Sequence, residues 1–134
     1  MIKVSYAGGD RLRIAVRGHE LYADQPPGDG GDDAGPTPSE MFVSSLAACV
    51  AFFAERFLRR HGMSPAGLEV SCDYAWAENP HRIGAIDLVV EAPGLKPERR
   101  DAFLRVIDHC TVHNSLRMPP EVNVRVALEQ DAAA

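Results

Sequence analysis

Apolar positions recur at every second residue in several short stretches of the chain and at helical spacing in two longer ones. Around residues 11–17, Leu12, Ile14 and Val16 fall on one side while Arg11, Arg13, Ala15 and Arg17 fall on the other, the alternation of a strand. IKVSYA, residues 2–7, reads as the strand before it. Gly8-Gly9-Asp10 is the turn between them, and ELYA resumes the pattern after Gly18-His19. Residues 1–24 therefore predict an antiparallel N-terminal meander. QPPGDGGDDAGP, residues 25–36, carries neither period, and its Pro and Gly content excludes helix or central strand. It is expected to be a flexible surface loop, with a functional loop as the alternative for so long a structureless stretch.

Thr37-Pro38-Ser39-Glu40 predicts a helix start. Thr37 suits the N-cap, Pro38 the first helical position, and Glu40 the third, closing a capping box. The helix should cover 37–61, with Gly62 as the residue just past its end. Between Met41 and Ala54 only Ser44 and Ser45 are polar, so it should be buried on most sides. One small domain can hardly cover such a helix alone, which points to a partner subunit. LEVSCDYAWA then alternates, with Leu68, Val70, Cys72, Tyr74 and Trp76 facing inward. Ile86, Leu88 and Val90 return across the ENPH turn, making a hairpin over 68–91. Pro97-Glu98 opens a second helix over 97–117, its apolar face Phe103, Val106, Ile107 and Cys110, with a kink expected in CTVHNSL. Pro119-Pro120 stops it. Val122, Val124, Val126 and Leu128 predict a last strand over 121–128. The order β-β-β-α-β-β-α-β does not alternate one for one, so 1–134 is read as a single α+β domain with a mostly antiparallel sheet.

Composition narrows the classes of function. The net charge is −5 and the arginines are scattered, which leaves no basic face for nucleic acid. The N-terminus has no charged-then-apolar signal pattern. The apolar run from Met41 to Ala54 is shorter than a bilayer span and is closed by Glu55-Arg56. The expectation is a cytoplasmic protein with neither a nucleic-acid nor a membrane partner. No phosphate loop, dinucleotide fingerprint or nucleophile elbow appears.

Chemistry therefore rests on side chains, and the cysteines are the strongest candidates. Cys49, Cys72 and Cys110 are far apart and form no CxxC pattern. Cys72 sits on an inward strand position, where a packed structural thiol accounts for it. Cys49 and Cys110 each fall in one of the two main helices, among apolar residues, so core filling and function compete evenly. If the two helices pack together, the sulfurs approach the disulfide range of about 4.4–6.8 Å between Cα atoms. In a reducing compartment such a pair points to reversible redox chemistry. His113, three residues after Cys110, would share its face on a continuous helix. With His109 and His61 it makes a weak metal set, short of four clear ligands, so neither a metal nor a bound cofactor is expected. Tyr74 and Trp76 are candidates to line an apolar site, with core packing the simpler role for Trp76.

GPTPSEMFVSSLAACV, the helix running on to RRHG, and HCTVHNSL together resemble the OsmC/Ohr family of organic hydroperoxide reductases and related proteins, over nearly the whole chain. The resemblance implies an OsmC-like fold in an intertwined homodimer, with the two cysteine helices central and the sites at the subunit interface. It implies Cys49 as the peroxidatic thiol and Cys110 as the resolving one. It further implies an organic hydroperoxide substrate and an external dithiol reductant protein, lipoyl-type or another thiol. Active members also use a glutamate at the start of the first helix, paired with an arginine of the meander that lowers the thiol pKa. In the peroxidases that glutamate directly follows the proline. Here Ser39 follows Pro38 and Glu40 comes one later, about 100° round the helix, where capping competes with catalysis. Arg11 or Arg13 falls nearest the arginine position, with Arg17 a third choice. This pattern is closest to the less characterised OsmC-like branch. A non-catalytic small-molecule-binding or redox-sensing protein on the same fold is the alternative.

Overall fold

The computed structural model describes residues 1–132. Three strands, β1 (Ile2–Tyr6), β2 (Leu12–Val16) and β3 (His19–Ala23), form an antiparallel sheet in the order β1-β2-β3. Its register pairs Val4 with Ile14 and Ile14 with Leu21. Arg17 and Gly18 make the β2–β3 turn, both at positive φ (50° and 95°), the conformation whose twist suits a two-residue hairpin loop. Arg17 therefore belongs to a turn and does not share the strand face with Arg11 and Arg13. All of β1 is exposed, Ile2, Val4 and Tyr6 included.

The acidic segment that follows is bonded to itself around one buried side chain. Asp24 is 2% exposed. Its carboxylate accepts the amides of Gln25 (2.7 Å), Ala34 (3.0 Å) and Asp32 (3.3 Å). Backbone bonds from Gly31 to Pro26, from Asp33 to Gln25 and from Asp24 to Pro36 close the loop. Gly31 and Gly35 lie so close to the backbone of Gln25 and Tyr22 that neither site has room for a Cβ. The amides hold the Asp24 carboxyl below its ordinary value of 3.8, with Ala34 the largest contributor, against the opposing effect of burial.

Helix α1 (Pro38–Arg60) begins with the expected capping box. The Thr37 hydroxyl accepts the Glu40 amide at 3.2 Å, and the Glu40 carboxylate accepts the Thr37 amide at 2.9 Å. It ends at His61, with Gly62 at φ 70°. Its buried stripe is Val43, Leu46, Val50, Ala54, Phe57 and Leu58. By length and composition alone, its 23 residues and mean hydropathy of 1.6 would suit a membrane span. In this fold the stripe is instead the core. The helix is not buried on most sides: Phe42 and Phe52 are 42% and 51% exposed. The meander packs substantially only within itself, and β4, β5, α2 and α3 take the rest of α1's contacts.

Strands β4 (Glu69–Ala77) and β5 (Arg82–Glu91) form the expected hairpin, pairing Val70 with Val90, Cys72 with Leu88 and Tyr74 with Ile86. Val70, Ile86, Leu88 and Val90 pack against the core, while Cys72 and Tyr74 line a cleft shared with α1. A bulge between Ala75 and Trp76 shifts the alternation. Trp76 is therefore not inward but 50% exposed, stacked on His81 with centroids 4.6 Å apart.

The expected second helix is two helices. A short 3-10 turn at Pro97–Arg99 leads into α2 (Arg100–Ile107), and α3 (Thr111–Arg117) follows after a break. Phe103 and Ile107 are buried, whereas Val106 is 37% exposed and lies off the core face. Residues 121–128 were expected as the last strand, and they take no place in either sheet. Val122, Val124 and Val126 stand exposed, Val124 by 89%. The alternation is present in the sequence, but a strand needs a neighbouring strand for its backbone bonds, and the segment is docked on neither sheet, although both have open edges. A helical turn, α4 (Glu129–Ala132), ends the described chain.

Candidate redox site

The two thiols singled out in the sequence meet. Cys49 lies on α1 immediately before the core residue Val50, half-buried and packed against the cluster of Leu46, Val50, Ala54, Phe103 and Ile107. Cys110 belongs to the same cluster at 0% exposure, and the Cys49 side chain is near enough to raise its pKa.

Cys110 reaches this position because α2 stops at Ile107. The broken ladder is taken over by side chains: His109 Nδ1 bonds to the Arg105 carbonyl at 2.7 Å, and the Asn114 amide donates to the His109 carbonyl at 3.2 Å. Cys110 then adopts an extended conformation, φ −67° and ψ 156°, as the N-cap of α3. Its Sγ accepts the backbone amide of His113 at 3.4 Å. It is thus not a residue of a continuous helix, and the bond to His113 comes from the main chain and not from a shared helix face.

Two opposing effects act on the Cys110 thiol. Burial raises its pKa and is the larger; the amides of His113 and Val112 lower it, and the Cys49 side chain raises it. The net direction is upward, so Cys110 is held as a neutral thiol at pH 7. Cys72 is also raised, by burial and then by Asp73. It stands apart from the thiol pair, in a cleft of about 310 Å³ that Glu40, Ser44 and Tyr74 also line.

The candidate activating residues are engaged elsewhere. Glu40 is held by the Thr37 amide. Arg13 pairs with Glu20 at 2.9 Å, and Tyr22 donates to the same carboxylate. The Arg11 guanidinium lies 3.8 Å from Asp32, and its Nε is buried without a hydrogen-bond partner. Among the described residues, neither arginine is bonded to Glu40 or to Cys49.

A cavity of about 430 Å³ is lined by Val50, the residue after Cys49, and by Ile107 and His113, which flank Cys110 by three residues on either side, though by neither cysteine itself. Its walls are apolar, including Val50, Ile86, Leu88 and Ile107, and its polar groups are Arg100, Asp108 and His113. Asp108 accepts from Arg117 at 2.8 Å and lies 3.8 Å from the His113 ring. Sequence reasoning missed Arg100 and Asp108, which look like ordinary helix-surface charges. It also missed Asp24, whose burial has no signature beyond an aspartate preceding a Gly/Asp/Pro stretch. His61 is stacked on Phe57, with centroids 4.2 Å apart, and lines a different cleft from His113. Among the described residues, no group of three or more His, Cys, Asp or Glu side chains is arranged to hold a metal ion.

Residues 30–125 match the family described as OsmC-like protein. The chain belongs to the OsmC-like family. Solved structures agree on the OsmC-like fold. A Psychrobacter arcticus 273-4 protein, assigned to osmotic stress induction and detoxification response, is 21% identical with a TM-score of 0.77, covering 85% of each chain. The OsmC-like protein of Mycoplasma pneumoniae is 19% identical with a TM-score of 0.72, over 87% of this chain and 86% of its own. The organic hydroperoxide resistance protein OhrB of Bacillus subtilis is 18% identical with a TM-score of 0.60, over 89% of this chain and 92% of its own. No curated protein matches the chain.

Proposed function

We propose that this OsmC-like protein is a thiol-dependent organic hydroperoxide reductase of oxidative-stress defence, acting in the cytoplasm. The contact between Cys49 and Cys110 carries this reading. Cys49, the less buried of the two, attacks the outer peroxide oxygen as thiolate. The O–O bond breaks, the alcohol leaves with a proton, and Cys49 becomes a sulfenic acid. The Cys110 thiol then condenses with it: an S–S bond forms, the S–O bond breaks, and water leaves. An external dithiol reduces the disulfide by exchange and is itself oxidised. The largely apolar cavity lined by Val50, Phe103 and Ile107, which pack in the cysteines' own core cluster, suits the alkyl part of the peroxide. The hydroperoxide resistance named for the Bacillus subtilis relative belongs to the same reading.

The active form in this proposal is a homodimer. The open faces of β1 and of α1 at Phe42 and Phe52, with Val122, Val124 and Val126 of the segment that joins neither sheet, are the surfaces a second copy would cover. Arg11 or Arg13 would reach Glu40 and Cys49 only through such an arrangement.

A second reading, a binding or redox-sensing protein, has one observation in its favour. Within one chain Arg13 is paired with Glu20, Arg11 faces Asp32, and neither is bonded to Cys49. One experiment separates the two: reduced protein is treated with one equivalent of cumene hydroperoxide and mapped by peptide mass spectrometry. Rapid Cys49–Cys110 disulfide formation, abolished in Cys49→Ser, supports the reductase. Slow oxidation spread over all three thiols sinks it.

A further inference from the structure

A second cleft, of about 520 Å³, lies between the C-terminal half of α1 and α2 and contains neither Cys49 nor Cys110. Its apolar part is Phe53, Phe57, Ala102 and Val106, and Arg56, Arg60 and Arg105 line the same space. Phe57 is braced edge-on by Phe103, with centroids 5.4 Å apart. The Arg56 guanidinium sits 5.2 Å over the Phe52 ring.

Four arginines elsewhere in the chain are faced by carboxylates, whereas among the described residues Arg17, Arg99, Arg100 and Arg125 are not. Arg11, Arg13, Arg59 and Arg117 face Asp32, Glu20, Glu55 and Asp108. Arg82 donates to two backbone carbonyls. Among the described residues, Arg56, Arg60 and Arg105 also have no carboxylate partner, and what sets them apart is that all three line this one cleft. Helix ends do not account for them. Arg60 and Arg105 lie in the last turns of α1 and α2. Two helix C-termini offer about one negative charge between them, against three guanidiniums. In a chain of net charge −5, this cleft is a local positive focus over an aromatic floor.

We propose that the cleft is a binding site for an organic anion with an apolar body and a carboxylate or phosphate head. The body lies against Phe53 and Phe57, and the head is held by the three guanidiniums, whose forked donors suit such oxygens. The site is independent of the thiol chemistry and does not require it.

Isothermal titration of the reduced full chain with decanoate, decyl phosphate, decanol and inorganic phosphate tests this. At least one of the two amphiphilic anions should bind one per chain, at least about tenfold tighter than decanol or inorganic phosphate, because both parts of the cleft are used. Arg60→Glu and Arg105→Glu should each weaken it by about tenfold or more, with unchanged circular dichroism, whereas Arg99→Glu outside the cleft should not. Binding of decanol as tight as that of the anions, affinity indifferent to both charge reversals, or no binding of either anion would overturn the proposal.

Discussion

The Cys49 thiol on α1 packs in the same core cluster as the Cys110 thiol at the break between α2 and α3, one partly accessible and the other enclosed. Because burial is the largest influence on Cys110, its thiol should resist ionisation above its ordinary value of 9.0. The folded pKa is raised, so this group's contribution to stability is complete below the unfolded value and is lost as pH rises through the folded one. Alkaline unfolding followed by circular dichroism should steepen above pH 9, and the steepening should diminish in Cys110→Ala. A pH–stability curve identical in the two proteins would contradict the burial argument.

Glu40 has a demonstrable structural role and a proposed catalytic one, and two substitutions separate them. Thr37→Ala removes the hydroxyl that receives the Glu40 amide and should cost about 0.5–2 kcal/mol. Glu40→Gln keeps an acceptor for the Thr37 amide and should leave stability within about 0.5 kcal/mol of the parent. Peroxide turnover of Glu40→Gln then reports on the carboxylate charge alone. Full turnover makes Glu40 a cap only; a large loss at unchanged stability gives it a second role.

Asp24 should hold the 25–36 segment ordered in acid. Its carboxyl is depressed below 3.8 by the Ala34 and Gln25 amides, so the stabilisation is present above that value and is lost as pH falls through the folded one. In Asp24→Asn, amide hydrogen exchange at Gln25 and Ala34 should accelerate at neutral pH and become insensitive to acid. Gly31→Ala should open the same segment through the backbone, since a Cβ there collides with the Gln25 carbonyl. Unchanged protection in both variants would show that the backbone bonds suffice.

The dimer can be challenged without touching the core. Val124 is 89% exposed in the single chain, so Val124→Glu should leave helix content and melting of the protomer intact. If 121–128 pairs with a second copy, analytical ultracentrifugation should show dissociation at concentrations where the parent is dimeric. Phe52→Glu, on the open side of α1, should act in the same direction. A parent sedimenting as a monomer would end the dimer proposal.

The hydrophobic pattern was enough for the three-stranded meander, the capped first helix with its Gly62 stop, the 68–91 hairpin and the α+β class. In each, the signal and the partner that satisfies it lie close in the chain: Thr37 and Glu40 are three residues apart, and Tyr74 finds Ile86 across one turn. The motif cysteines were visible for the same reason, as thiols set into apolar periodicity. What the pattern missed depended on distant groups. Alternation at Val122, Val124 and Val126 signals a strand but not which edge receives it, and within this chain the segment joins neither sheet. The period along 68–77 runs through Trp76, yet a bulge against β5 turns that ring outward. Helical spacing joined Cys110 to Ile107, whereas side-chain bonds from His109 and Asn114 end the helix between them and make Cys110 a cap. The charge alternation around Arg11 and Arg13 gave no partners, and only the folded loop and the neighbouring strand supplied Asp32 and Glu20. Local spacing sets propensity and capping; whether two groups meet depends on the packing of elements far apart in sequence, and the contact of Cys49 with Cys110 is of that second kind.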